Sequence, residues 1–127
     1  MKLDLIGSRI VKCNYSNDIE PDNEVNLQVT VNTQIKLPND LKSDSVGSIR
    51  TKVLVGTPLE PLCIYVEQIS NFMDTDKKKE SNVPDMEEMM SLYKMICVPL
   101  ALNRMDETLD GLCKVYGIPK IEIKNIK

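Results

Sequence analysis

Residues 25–37 constrain the fold more than any other stretch. Val25, Leu27, Val29, Val31, Thr33, Ile35 and Leu37 hold every odd position, and Asn26, Gln28, Thr30, Asn32, Gln34 and Lys36 hold every even one. Side chains of a strand alternate between faces, so this pattern puts one apolar row and one wet row on a single strand. On a helix the same residues would scatter around the circumference. A sheet with one solvated face is normally antiparallel, which sets the expectation for the front half of the chain.

Three further segments fit beside that strand. Residues 3–15 carry Leu3, Leu5, Val11, Cys13 and Tyr15 at one parity, while Ile6 and Ile10 break it around Gly7. A bulge or bend near Gly7 accounts for the break. Residues 14–23 are polar and contain Pro21, which reads as a loop or a frayed strand end. Asp18, Glu20 and Asp22 in that stretch, with Glu24 just after it, do not match a calcium loop. After a turn-rich connection over 38–47, Ile49, Thr51, Val53 and Val55 alternate with Arg50 and Lys52. Two prolines punctuate the hairpin loop over 56–61. Residues 62–72 form the fourth strand, apolar at both parities over 62–66. Such a strand needs cover on both faces, and a partner subunit is one source of it.

The back half changes period. Residues 74–84 are charged and read as an exposed linker. Asp85 has the look of a helix N-cap, with Glu88 three residues on. Met86, Met89, Met90, Tyr93 and Ile96 then recur at helical spacing, and Pro99 is expected to end or kink that helix. A second helix is expected from about Leu100, with Leu102, Met105, Leu109, Leu112, Cys113 and Tyr116 on its apolar side. Gly117 and Pro119 stop it. The tail over 118–126 alternates and reads as an extended segment. Together these features predict one α+β domain spanning residues 1–127.

Several kinds of chemistry lack their residues. The chain has no histidine, so the commonest general base is absent. Cys13, Cys63, Cys97 and Cys113 form no CxxC pair, and no P-loop or dinucleotide fingerprint exists. No metal, no cofactor and no enzymatic activity are expected. Apolar surroundings make the cysteines buried thiols in a reducing compartment, with disulfides as the alternative. Net charge is -3. The Lys77–Lys79 run is flanked by Asp74, Asp76 and Glu80, so neither nucleic acid nor an anionic membrane is an expected partner. No stretch suggests a signal peptide or a membrane span, and the cytoplasm is the expected location.

Six of the 7 methionines lie between residues 73 and 105. Thioethers fill irregular gaps and re-pack around varied apolar partners. An ordinary core helix and an adaptable groove both fit this observation.

Taken over its length, the chain resembles the SecB-like export chaperones. The residues that carry the likeness are the opening Leu5-Ile6-Gly7-Ser8-Arg9-Ile10, the alternating strand and Val66-Glu67-Gln68-Ile69-Ser70-Asn71-Phe72. Ile96-Cys97-Val98-Pro99-Leu100-Ala101-Leu102-Asn103-Arg104 and Gly117-Ile118-Pro119-Lys120-Ile121-Glu122-Ile123 complete the order. The resemblance implies a four-stranded antiparallel sheet with C-terminal helices packed on one face, assembled as a homo-oligomer, dimer or tetramer. It implies an ATP-independent holdase that binds apolar segments of non-native polypeptides, for export or for a specific client. The alternative is an interaction or assembly module, or a toxin–antitoxin-associated chaperone, without general chaperone action. Phe72, Met86, Met89, Met90, Tyr93 and Met105 are the expected client-groove residues. Leu100 stands where the family has an aromatic. The wet row of residues 26–36 is amide and hydroxyl, not the acidic surface with which export chaperones dock their motor ATPase, so that docking is not expected.

Overall fold

The computed structural model describes residues 2–18, 28–38, 45–57, 59, 61–75 and 85–121. Four strands form one antiparallel sheet: β1 (Leu3–Asn17), β2 (Val29–Lys36), β3 (Val46–Gly56) and β4 (Leu62–Asp74). Their spatial order is β1-β4-β3-β2, which puts β4 inside the sheet and β1 at an edge. The helical layer comprises α1 (Met86–Leu92), a π turn (Tyr93–Cys97) and α2 (Val98–Tyr116). The observed architecture is the four-stranded α+β arrangement expected from the sequence. Residues 25–27 of the alternating strand, 76–84 of the linker with its lysine run, and 122–126 of the tail lie outside the described residues.

Two bulges explain the broken parity of β1. Register shifts between Leu5 and Gly7 and again between Ile10 and Lys12 leave Ile6 and Val11 as the extra residues. Leu3 and Leu5, then Ser8 and Ile10, then Cys13 and Tyr15 therefore share the helix-facing side. The strand also runs further than the polar composition of residues 14–17 suggests. Those residues stay in the ladder because β4 offers partners as far as Leu62, opposite Asn17. The Asp18 N–H closes the end on the Pro61 carbonyl at 2.7 Å.

Pro99 does not divide the helix. The backbone passes from α1 through the π turn into α2, with Pro99 in the first turn of α2. The Val98 N–H reaches the Tyr93 carbonyl five residues back. The ladder has already left its usual spacing when the proline arrives, so the missing donor breaks nothing further. The same turn moves the inward position from Ile96, as the sequence pattern suggested, to Cys97. Cys97 is fully buried and Ile96 is exposed. The helix ends are capped conventionally. The Asp85 carboxylate accepts the Glu88 N–H at 2.8 Å, and Gly117 takes a left-handed φ of 71°.

The core lies between sheet and helix in two apolar clusters. Val53, Val55, Leu62, Ile64 and Val66 pack under Met105 and Leu109. Leu3, Ile49 and Phe72 pack under Met89, Tyr93, Cys97 and Ala101. A polar row crosses the sheet between them: Thr33 opposite Thr51, and Thr51 opposite Gln68. The Thr108 hydroxyl donates to Gln68 Oε1 at 2.6 Å, tying α2 to that row.

Tyr93 fixes how closely the helix approaches β3. A Cβ built on Gly47 would stand 2.6 and 2.7 Å from two carbons of the phenol ring. Glycine lets the ring lie directly on the strand backbone. Gly47→Ala is expected to lower stability by about 1–3 kcal/mol through overpacking, read as a lower urea midpoint with an unchanged slope.

Candidate functional site

A cleft separates the edge strand β1 from the outer side of α2. Leu5, Ile6, Gly7 and Ser8 form one wall, and Leu100, Asn103, Arg104 and Glu107 form the other, around a volume of about 440 Å³. The first bulge creates the strand wall. It inserts Ile6 as an unpaired residue and leaves that side chain 48% exposed. Ile10 and Val11 continue the exposed apolar line along β1, and Ile96 continues it along the helix, one turn before Leu100. The rim is charged, with Arg104 Nη1 donating to Glu107 Oε2 at 2.9 Å. The outer edge of β1 has no strand beside it among the described residues. An unpaired edge beside an apolar groove offers backbone hydrogen bonds and side-chain pockets to an extended chain.

The groove residues expected from the sequence fall in three places. Phe72, Met89 and Tyr93 are buried together in one core cluster. Met105 is buried in the other. Met86 is 54% exposed at the start of α1, and Met90 is half-buried. Phe72 and Tyr93 meet edge to face, with ring centroids 6.4 Å apart, as a structural contact under the helix. The cleft residues Ile6, Leu100 and Arg104 are not among the groove residues that the sequence predicts. The available signal was the pair Ile6 and Ile10 standing out of parity on β1.

No protein-family model matches the chain, and no curated protein matches it. A search of solved structures does find likenesses. A SecB-like chaperone of Mycobacterium tuberculosis, solved in complex with a ChAD peptide from the HigA1 antitoxin, superposes with a TM-score of 0.65 at 12% identity. The superposition covers 98% of this chain and 88% of that one. The chain has the SecB-like fold. A protein of unknown function from Streptococcus agalactiae is similar at a TM-score of 0.43 and 13% identity, with 98% of both chains covered.

Within this SecB-like fold the face of the sheet away from the helices is cationic. Arg9 and Lys12 come from β1, and Arg50 and Lys52 from β3. Glu67 stands among them on β4, with Oε1 3.0 Å from Arg50 Nη1 and 3.6 Å from Lys52 Nζ. Lys12 Nζ lies 5.7 Å from the centre of the Tyr65 ring. The amide and hydroxyl row of β2 is thus one margin of a basic surface. The interior position of β4 also bears on its two apolar parities, since β1 and β3 flank Cys63 and Tyr65 and leave both half-buried.

No helix among the described residues is long and apolar enough to cross a membrane. No group of three or more His, Cys, Asp or Glu among them is placed to hold a metal ion. Cys13 is exposed, Cys63 half-buried, and Cys97 and Cys113 buried, all as free thiols. Burial pushes the Cys97 thiol up to about 12. Tyr93 rises to about 12, chiefly by burial and then by the neighbouring Cys97. The Tyr93 hydroxyl sits against the Gly47 backbone without a well-formed hydrogen bond. Both groups are held neutral by the fold. In the unfolded chain they lose protons first, near their ordinary values of 9.0 and 10.0. Their contribution is therefore complete below pH ~9 and is lost as pH rises toward ~12. The urea midpoint is expected to fall across that window, and less steeply in Cys97→Ala. A thiol reagent at neutral pH is expected to modify Cys13 well before Cys97.

Proposed function

We propose that the chain is an ATP-independent, chaperone-type interaction module that holds an extended apolar segment of a particular partner polypeptide in the β1–α2 cleft. The observation that carries this reading is the cleft itself, where an unpaired strand edge and an exposed apolar helix wall face one another. The fold it shares with a chaperone solved on an antitoxin peptide supports a dedicated client over a general one. Burial of client side chains against Ile6, Ile10 and Leu100 supplies affinity, and the free edge of β1 adds sequence-independent hydrogen bonds. Met86 and Met90 extend the apolar surface along α1. Phe72, Met89, Tyr93 and Met105 act from beneath, as the packing that fixes the height of the helix over the sheet. Broad holdase action in export is the second reading, and the basic sheet face counts against an export-motor partner of the usual charge. No catalytic step is assigned.

Anisotropy of labelled extended apolar peptides tests the cleft. Ile6→Asp and Leu100→Asp are each expected to weaken binding at least about tenfold, or about 1.4 kcal/mol. Both positions are exposed, so thermal stability should change little. Wild-type affinity in both variants would remove the cleft from consideration. Aggregation assays separate the two readings: a dedicated module leaves several unrelated unfolded clients unprotected, whereas a general holdase protects them all.

A homo-oligomer, dimer or tetramer, is proposed as well, on the two apolar parities of β4 over residues 62–66. Light scattering at concentrations of roughly tens of micromolar should report a multiple of the 14.4 kDa chain mass. A monomer would overturn that expectation.

A further inference from the structure

We propose that the helix-free face of the sheet is a second docking surface, specific for an acidic extended segment of a partner protein. Two adjacent rows across the three strands carry it. Lys12 and Lys52 stand opposite Glu67 from either side. Arg9 and Arg50 stand opposite Ile69 in the next row. Cross-strand spacing separates the cations of each row by roughly 10 Å, with the rows roughly 7 Å apart. Four cations thus surround one carboxylate.

That local excess runs against the whole chain, whose net charge is -3. Glu67 is engaged by Arg50 and Lys52. Arg9 has no ion-pair partner among the described residues, and Lys12 is exposed over Tyr65. Lys36 on β2 extends the charge toward the other margin. Between the cations, Tyr65 and Ile69 offer half-buried apolar spots. An occupant with a carboxylate at every second residue presents them all on one face, spaced like the cation rows, and matches this pattern as an extended chain laid on the sheet. The overall negative charge disfavours a long polyanion, which feels the field of the whole molecule. A short acidic segment feels chiefly the local patch, because solution charges are screened beyond about 8–10 Å. This surface lies on the opposite side of the sheet from the helix layer, so the proposal stands apart from the client reading.

The probe is a fluorescein-labelled peptide of about twelve residues alternating glutamate and valine, long enough to span the strands. Controls are its lysine–valine counterpart and a short single-stranded oligothymidylate. Fluorescence anisotropy should show the acidic peptide binding, with affinity falling several-fold between about 50 and 300 mM salt. Arg9→Glu with Lys12→Glu should weaken it at least tenfold, and Lys36→Glu should weaken it less. Glu67→Gln should tighten it several-fold by removing the central negative charge. Ile6→Asp and Leu100→Asp should leave it unchanged, which separates this surface from the cleft.

Absence of binding, equal binding of the lysine peptide, or an unaffected Arg9→Glu/Lys12→Glu variant would overturn the proposal. Tighter binding of the oligothymidylate would overturn it in favour of nucleic acid. Dissociation of a wild-type oligomer by Arg9→Glu/Lys12→Glu would overturn it in favour of a second copy. Unchanged circular dichroism and melting temperature establish that each variant is folded.

Discussion

Leu62, Ile64, Val66 and Phe72 on one face of β4 floor both apolar clusters, while Glu67 on the other face is held by Arg50 and Lys52. Everything else is arranged around that strand. β1 and β3 pair with it along nearly its whole length, and the helix lies across its apolar row. Full burial of each large apolar side chain stabilises by about 1.5–3 kcal/mol. The polar row through Thr51 and Gln68 interrupts that gain. Thr51 Oγ1 and Gln68 Nε2 are buried without a partner among the described residues, although Gln68 Oε1 accepts from Thr108. The core is consequently two apolar pads joined by a seam that favours one register of helix on sheet.

The two candidate surfaces follow from opposite properties of the sheet. At its edge, β1 is long, twice bulged and left without a neighbour, so its backbone and displaced isoleucine face the groove beside α2. On its open face, the second bulge of β1 brings Arg9 and Lys12 into line with Arg50 and Lys52 of β3 across β4. One surface attracts by removing apolar area from water, and the other by charge. They differ accordingly in salt dependence, and a partner with an apolar segment and an acidic segment can engage both without competition.

Much of the fold was legible because β-sheet geometry writes a period of two directly into the chain. The alternation at residues 29–36 and 46–56 gave strands and faces from single residues such as Val31 and Lys52. The helix caps at Asp85 and Gly117 were equally plain, since each depends on local hydrogen bonds. The cleft was not legible, because it depends on tertiary placement. Nothing in a list of methionines says that Met89 and Met105 lie inward while Leu100 faces out. Ile6 carried the one local sign, a residue out of step with its strand. The basic face was hidden for a related reason. Arg9, Lys12, Arg50 and Lys52 are far apart in sequence, and only the pairing through β4 assembles them. Pro99 misled because a proline normally terminates the hydrogen-bond ladder, and here the ladder had already widened to a five-residue spacing before it.

The inward residues Met89, Tyr93, Cys97, Ala101, Met105, Leu109 and Cys113 are spaced by four throughout. On a regular α-helix that spacing slips by ~40° at each step. The π turn at Tyr93–Cys97 takes up part of the slip, acting as a one-residue phase adjuster between two stretches of ordinary helix. What sits inside and what sits outside are thereby set by a single length rather than by residue types. Shortening the turn by one residue would turn the following helix by ~100° relative to the first, exchanging Leu100 for its neighbours at the cleft without altering any side chain. An insertion or deletion in that turn would therefore rephase groove and core together, because Ala101, Met105 and Leu109 ride on the same helix as Leu100.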